Sequence, residues 1–373
     1  MAGEAAPPAG GQDAATAKDY YFDSYAHFGE GTRESEEGRV VGRLTGVRPA
    51  VAHALLLALS SPGIHEEMLK DSVRTRSYQA AIERNPHLFK GKVVLDVGCG
   101  TGILSLFAAR AGAAHVYGIE CSAIADQAAA IVRDNGYEGR ITIIKGKAEE
   151  ITLPVDSVDV IISEWMGYFL LYESMLDTVI FCRDKWLAPG GALLPDKCTL
   201  FLAAIEDGDY RADKIDFWDD VYGFNFGAIK ALALGEPLVD TVDAAQVCAP
   251  PVPLATFDLA TMVKADATFT ATFELTAARN DYVHALVGFF DSVFGASHTP
   301  LSFSTAPSAR PTHWKQTVFY LATPLTVCAG EAVRGTLACA PNAVNPRDLD
   351  IELTYEHAGQ RGTTRATQQF RMR

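Results

Sequence analysis

From Lys92 onward, short apolar strands alternate with helical segments, and no other feature of the chain constrains its fold as tightly. Val93-Val94-Leu95 reads as a strand, Asp96 to Gly102 as a Gly-rich turn, and Ile103 to Ala111 as a helix with one apolar face. Ala114 to Ile119 is a second strand and Ile124 to Asn135 a second helix, followed by strands at Ile141 to Ile144 and Val158 to Ser163. Strands joined through helices pair in parallel, because a connection of that length does not close a hairpin. The pattern predicts a doubly wound α/β sheet.

After Pro195 the period changes. Thr268 to Leu275 alternates strictly, with Phe269, Ala271, Phe273 and Leu275 on one side of the chain. Val283, Ala285, Val287 and Phe289 repeat the pattern, and Thr317 to Leu321 and Leu349 to Tyr355 are further strand candidates. Successive period-two strands predict an antiparallel sheet or barrel. Between them, Tyr210 to Lys230 is charged, aromatic and helical in flavour, and reads as an arm projecting from the barrel. Residues 64–85 read as one helix, ended at Asn85-Pro86 because the residue before proline disfavours helix. The layout is then a period-free Ala/Gly/Pro tail over 1–18, an α/β cofactor domain over 19–195, and a β domain over 196–373 with the arm at about 207–230. Tyr21, Phe22 and Tyr25 fall at helical spacing and share one face of a short helix.

The formal net charge of -14 argues against general affinity for nucleic acid or anionic membrane, both of which need basic surface. It suits a basic partner such as an Arg-rich peptide, or serves solubility alone. The seven Cys are scattered and form no CxxC pair, so neither a disulfide framework nor a zinc site is expected, and a reducing intracellular compartment fits. The first residues lack the basic-then-apolar pattern of a signal peptide. The apolar run Ala54 to Ser60 is too short to span a membrane.

The turn Asp96-Val97-Gly98-Cys99-Gly100-Thr101-Gly102 lies between a strand and a helix, where a nucleotide approaches the backbone. Glu120 ends the next strand, where a carboxylate accepts both ribose hydroxyls. The spacing is GxGxG with an Asp ahead of it, not GxGxxG, which favours S-adenosylmethionine over a dinucleotide: with no pyrophosphate, the helix N-terminus has none to cradle. A tight turn without a ligand is the bland alternative.

Further on, Glu164 follows a buried strand, and Glu173 lies beyond the aromatic loop carrying Trp165, Met166, Tyr168, Phe169 and Tyr172. Two opposed carboxylates hold one guanidinium through paired, charge-assisted hydrogen bonds. Two ordinary surface Glu are the alternative. The surrounding aromatics would desolvate the pair, a cost kept where charge is needed.

At this point the chain resembles the type I protein arginine methyltransferases. The similarity is carried by Tyr21-Phe22-Asp23-Ser24-Tyr25, Ile64 to Asp71, Val94 to Gly98, Ser163 to Tyr168 with Tyr172 to Leu176, and Thr312-His313-Trp314-Lys315-Gln316, all in family order. It implies a Rossmann-like S-adenosylmethionine domain followed by an antiparallel β-barrel with a helical dimerisation arm. It implies methylation of Arg/Gly-rich proteins, RNA-binding proteins and histones to mono- and asymmetric dimethylarginine, a homodimer or higher oligomer, no direct nucleic acid or membrane partner, and location in nucleus and cytoplasm. The sulfonium methyl is already electrophilic, so no metal is implied.

The same resemblance assigns residues. His65, Arg74, Asp96, Gly98, Gly100, Glu120, Ala148 and Glu149 fall at the cofactor, with Arg74 on its methionine carboxylate. Glu164 and Glu173 fall at the substrate guanidinium, with His313 and Asp71 paired beneath it. Tyr21, Tyr25, Met68, Met175 and Trp314 fall around the pocket, where the two methionines direct both methyl groups to one nitrogen. Residues 30–63 interrupt the resemblance between Ala26 to Gly29 and Ile64 to Glu67. Translated intronic sequence and a lineage-specific loop are both open there. Two other function classes also stay open: another transferase or NAD enzyme on the same fold, and a non-catalytic dimeric scaffold for Arg/Gly-rich proteins if the inserted segment blocks the cofactor site.

Overall fold

The computed structural model describes residues 62–373. The tail, the aromatic segment with Tyr21, Phe22 and Tyr25, and nearly all of the inserted segment lie outside the described residues. The helix expected over 64–85 is two helices, α1 (Pro62–Lys70) and α2 (Ser72–Glu83). Asp71 separates them. Its backbone is extended (φ -63°, ψ 96°) and its side chain accepts the Arg74 N–H, so it caps α2 where one continuous helix was expected. The buried residues of α2 are Arg74, Tyr78, Ala81 and Ile82, spaced so that they form one face of the helix. Pro86 opens α3 (Pro86–Phe89) at a position that needs no N–H.

The α/β region runs β1 (Val93–Val97), α4 (Ile103–Arg110), β2 (His115–Glu120), α5 (Ile124–Asp134), β3 (Ile141–Lys145), β4 (Val158–Ser163), α6 (Leu176–Trp186) and β5 (Leu187–Leu194). These strands form one sheet in the order β3-β2-β1-β4-β5, every pair parallel. Asp96 and Val97 belong to β1 and not to the turn, because they continue its pairing with Gly118 and Ile119. The order reverses around β1, so the crevice beyond β1, β2 and β4 is where ligands bind in such sheets.

The second region opens with β6 (Lys197–Ile205), then α7 (Gly208–Lys214), a 3-10 turn (Asp216–Asp219) and α8 (Gly227–Gly235). It continues through β7 (Leu238–Asp240), β8 (Val247–Asp258), β9 (Phe269–Thr276), β10 (Asp281–Phe294) and β11 (Leu301–Ser304). It closes with β12 (Gln316–Val327), β13 (Ala332–Pro341), β14 (Leu349–Gly359) and β15 (Gly362–Met372). Six strands make a sheet ordered β7-β12-β10-β6-β8 with β11 on β10, and four make a second ordered β15-β14-β13-β9. All of these pairs are antiparallel.

Burial along β14 alternates. Leu349, Ile351, Leu353 and Tyr355 face inward, and Asp350, Glu352 and Glu356 face solvent. β10 is instead buried on both faces from Ala285 to Phe290. One face joins the main core; the other packs Ala285, Val287 and Phe289 with Ile215 and Leu238 beneath the α7–α8 arm. Gln368 of β15 ties the two sheets by donating to the Tyr320 carbonyl at 3.2 Å and accepting the Ala322 N–H at 2.8 Å.

One hydrophobic core runs from Tyr78 and Leu95 through Phe290 to Leu353, so the parallel sheet and the barrel are packed together. Where the barrel meets the sheet, Trp314 stacks on Phe303, with ring centroids 5.4 Å apart, and meets Phe290 edge-on. Each such aromatic pair adds about 1 kcal/mol beyond its buried area. Arg183 of α6 donates to the carbonyls of Leu259 (2.6 Å) and Met262 (2.7 Å) across the same junction.

Candidate active site

The turn after β1 is held by its own backbone: the N–H groups of Gly98 and Cys99 both donate to the Ile119 carbonyl. Gly98 and Gly100 have φ of 69° and 54°, in the left-handed region that favours glycine. A Cβ on Gly98 would strike the end of the Met175 side chain, and one on Gly100 would touch the His65 ring. His65 and Met175, far apart in the sequence, therefore both stand over the turn. Glu120 is buried at the end of β2; its Oε2 accepts the Gly100 N–H at 3.0 Å and its Oε1 the Ser122 N–H at 2.9 Å. Ala148 is buried in the loop after β3, and the neighbouring exposed Glu149 accepts the Thr178 hydroxyl at 3.0 Å.

Asp96 was expected at the cofactor. It is wholly buried behind the turn, where Oδ2 accepts the Ser105 hydroxyl at 2.7 Å and Oδ1 has no hydrogen-bond partner among the described residues. Its bond to Ser105 ties the end of β1 to α4 behind the glycine turn. Burial pushes its carboxyl up to about 7, against the lowering effect of the Ser105 bonds. The sign of the pH effect follows. Between the ordinary Asp value of 3.8 and about 7, the folded chain keeps a proton the unfolded chain has released, so this group's contribution to stability falls as pH rises. Asp96→Asn removes that titration. Its melting temperature is expected to change less between pH 5 and pH 8 than that of the unsubstituted chain, and an unchanged slope in a calorimetric pH series would contradict this placement.

Glu164 leaves the end of β4 and meets Arg74 of α2, 90 residues away in sequence. Arg74 donates Nε–H to Glu164 Oε2 at 3.0 Å, and its Nη2 lies 2.9 Å from the same oxygen. The two side chains are 8% and 9% exposed, so this ion pair is desolvated and little screened. Arg74 was expected at the cofactor and Glu164 at the substrate; the pair joins those two places. Arg74 also donates to the Met68 carbonyl at 3.4 Å, setting the start of α2 against the end of α1.

The loop from Glu164 to Glu173 is folded back on itself. Gly167 donates to the Leu170 carbonyl, Tyr172 to Tyr168, and Met175 to Trp165. Phe169, Leu170 and Glu173 all have positive φ, of 48°, 65° and 55°. Left-handed backbone at a non-glycine residue costs about 1–3 kcal/mol and persists where surroundings enforce it. For Phe169 and Leu170 the surroundings are apolar: both side chains are buried, and Phe169 packs on Phe319 of β12 with centroids 5.2 Å apart.

From below, Tyr78 donates its hydroxyl to the Ser163 carbonyl at 2.9 Å, and Ser163 donates to the Val97 carbonyl at 2.8 Å. Trp314 was expected in the substrate pocket. It is buried, 3% exposed, and donates Nε1–H to the Met166 carbonyl at 3.0 Å, so it braces the loop. Asp71 and His313 do come together: Asp71 Oδ2 is 2.8 Å from His313 Nδ1 and accepts the His313 N–H at 2.9 Å. Burial alone would raise the Asp71 carboxyl, but the bonds from His313 and Arg74 outweigh it and hold the group below its ordinary range. One residue at this site escaped the sequence reading altogether. Arg347, in the loop between β13 and β14, exchanges hydrogen bonds with the Glu173 backbone.

A carboxylate-rich loop beside a nucleotide turn, joined to a β-barrel, narrows the field, and comparison with known proteins decides it. Residues 196–360 match the family described as the arginine methyltransferase oligomerization subdomain, and residues 94–191 match a methyltransferase domain. Protein arginine N-methyltransferase 1 of Chlamydomonas reinhardtii is 59% identical over 369 residues, 99% of this chain and 97% of that protein. The chain belongs to the protein arginine N-methyltransferase family. The member of the same name from Schizosaccharomyces pombe is 54% identical over 340 residues, 91% of this chain and 90% of that one. Among solved members, the Trypanosoma brucei PRMT1 enzyme-prozyme heterotetrameric complex with AdoHcy superposes with a TM-score of 0.83 at 50% identity, covering 85% of this chain and all of that one. Arabidopsis thaliana protein arginine methyltransferase 10 gives 0.77 at 30% identity over the same shares. The family match covers the fold read from the sequence: a parallel cofactor sheet followed by an antiparallel barrel with a helical arm.

Proposed function

We propose that this chain is a type I protein arginine N-methyltransferase, making asymmetric dimethylarginine in Arg/Gly-rich proteins, histones among them. Methyl transfer from S-adenosylmethionine to protein arginine is the family activity, shared with relatives more than half identical over nearly the whole chain. The observation that carries the reading is the desolvated carboxylate of Glu164 at one end of an aromatic loop whose other end holds Glu173 in a constrained backbone.

The residues at the turn fit S-adenosylmethionine. Each Glu120 oxygen accepts one backbone N–H, and a carboxylate oxygen has a second acceptor site, suited to a ribose hydroxyl. Arg74, Gly98, His65, Ala148 and Glu149 would complete the holding set. S-adenosylmethionine supplies an electrophilic sulfonium methyl, and AdoHcy, the demethylated form, is held by the Trypanosoma relative.

Guanidinium is cationic, delocalised and a poor nucleophile. Glu164 and Glu173 would draw its charge toward the nitrogens they hold, which frees a lone pair on the nitrogen to be methylated. Trp314, Tyr78 and Ser163 would keep the loop from relaxing, so that the acceleration comes from fixed position and fixed charge. Asp71 and His313 would accept the departing proton, or Glu173 would; a weak base suffices, because the nitrogen that has just bonded the methyl becomes strongly acidic. Met68 and Met175 would shape the pocket toward a second methylation of the same nitrogen.

The arm supports a dimer. Phe217, Tyr222, Phe224, Phe226, Ile229 and Leu232 are exposed there, and Tyr222 is 96% exposed, which a large aromatic seldom is without a partner surface. The arm is also anchored. Buried Arg211 donates to the carbonyls of Leu321 (2.6 Å) and Ala322 (3.1 Å), and Asp207 accepts the Tyr320 hydroxyl at 2.5 Å. All seven cysteines are unpaired thiols, which supports a reducing location such as nucleus and cytoplasm.

The test is product analysis. Purified chain, methyl-labelled S-adenosylmethionine and an RGG-repeat peptide are expected to yield asymmetric dimethylarginine. Symmetric dimethylarginine as the main product would overturn the type I assignment. Binding of peptide and S-adenosylhomocysteine with no product at all would favour the scaffold.

A further inference from the structure

The loop between β13 and β14 carries no residue assigned above to cofactor or substrate, yet it reaches the substrate loop. It is organised internally. Asn342 Oδ1 accepts the N–H groups of Val344 (2.9 Å) and Asn345 (3.1 Å). Asn342 Nδ2 donates to Asp350 at 2.7 Å, and Asn345 Nδ2 donates to Asp348 at 2.6 Å. Every one of these bonds lies within the loop or at the start of β14, so Arg347 is presented from a rigid support.

Arg347 then holds Glu173 from both sides. Its carbonyl accepts the Glu173 N–H at 3.0 Å, and its Nη2 donates to the Glu173 carbonyl at 3.0 Å. Capturing the N–H and the C=O of one residue fixes that residue's two backbone dihedrals against the barrel. Glu173 is the residue that needs it, because its φ of 55° is one a glutamate rarely adopts unaided. Trp314 braces the first half of the same loop at Met166, and Arg347 braces the second half at Glu173. The buried Arg347 Nε has no hydrogen-bond partner among the described residues.

We propose that Arg347 is a positioning residue for methyl transfer, which fixes the Glu173 backbone and so aims the Glu173 carboxylate at the substrate guanidinium. The inference rests on reading Glu173 as a substrate carboxylate. A staple that only joins barrel to loop is the competing account, and it makes no distinction between Glu173 and the rest of the fold.

The experiment uses the full chain with S-adenosylmethionine and an RGG peptide, and compares Arg347→Ala, Arg347→Lys, Glu173→Gln and the Ala/Gln double variant. Arg347→Ala is expected to lower kcat by about tenfold or more, as small misplacements of a reacting group do. Its KM for the cofactor and the thermal shift given by S-adenosylhomocysteine should stay as in the unsubstituted chain. Lys, which keeps one donor, should restore part of the loss. In the Glu173→Gln background, Arg347→Ala should change kcat by less than about threefold, because residues acting as a unit are not additive. An Arg347→Ala enzyme within about twofold of the parent, or a full tenfold loss persisting beside Glu173→Gln, would overturn the proposal. Hydrogen exchange separates this from failure of the functional reading. Even in a chain inactive on the peptide, the Glu173 amide should exchange faster in Arg347→Ala, and unchanged exchange would overturn the proposal by itself.

Discussion

Glu164→Gln is expected to reduce kcat by about three orders of magnitude and to lower unfolding stability by roughly 3 kcal/mol. Both effects have one origin. Nε and Nη2 of Arg74 converge on Oε2 of Glu164 at 3.0 and 2.9 Å in a place almost closed to water. Glutamine keeps the shape and removes the charge, which leaves the guanidinium buried without compensation. The released Arg74 would then pull on the Met68 carbonyl and the start of α2, where the cofactor is expected to bind. Glu164→Asp keeps the charge and should recover more stability than activity, because the shorter side chain no longer reaches the substrate position. Steady-state kinetics and urea titration of the three proteins, at a temperature where all are folded, check this. A Gln variant within tenfold of the parent would remove Glu164 from the chemistry.

Gly167→Ala is the second large effect. A Cβ at this position would overlap the Tyr172 carbonyl oxygen and crowd the Ser174 nitrogen, both backbone atoms of the same loop. No side-chain rotation relieves that contact. The loop has to open, which separates Glu173 from Glu164 and breaks the Tyr172 to Tyr168 bond. Overpacking of this kind costs about 1–3 kcal/mol in stability. The loss in kcat should be larger, about a hundredfold or more, because the reacting geometry sits on the displaced segment. A folded Gly167→Ala enzyme of normal kcat would show that the loop tolerates a different path.

The parts of the fold legible in sequence were those whose burial leaves a period. β1, β2 and β4 are apolar on both faces and stand out as runs, and β9 and β14 alternate because one side meets water. The strands that escaped have physical reasons to. β5 carries Pro and two Gly, and β8 carries three Pro, which its place at the sheet edge tolerates. β15 is mostly polar and is buried only near its end. At the site, Glu164 and Glu173 were visible as charges embedded in an aromatic loop. The Arg74–Glu164 pair was not, since nothing local links residues 90 apart. The burial of Asp96 was not legible, because a carboxylate ahead of a glycine turn looks the same whether it is solvated or enclosed. Arg347 left no signal at all: its contacts run through backbone atoms of an irregular loop, which residue type does not encode.

The most direct measurement of the central claim compares two peptides that differ only in Arg or Lys at the acceptor position, each incubated with the full chain and methyl-labelled S-adenosylmethionine. Paired carboxylates match a guanidinium's fork, not an ammonium's point charge. Label is therefore expected on the arginine peptide alone, and is expected to fall by about a hundredfold or more, though still measurably, with Glu173→Gln. Equal labelling of the lysine peptide, or labelling that survives Glu173→Gln undiminished, would contradict the two-carboxylate account of this site.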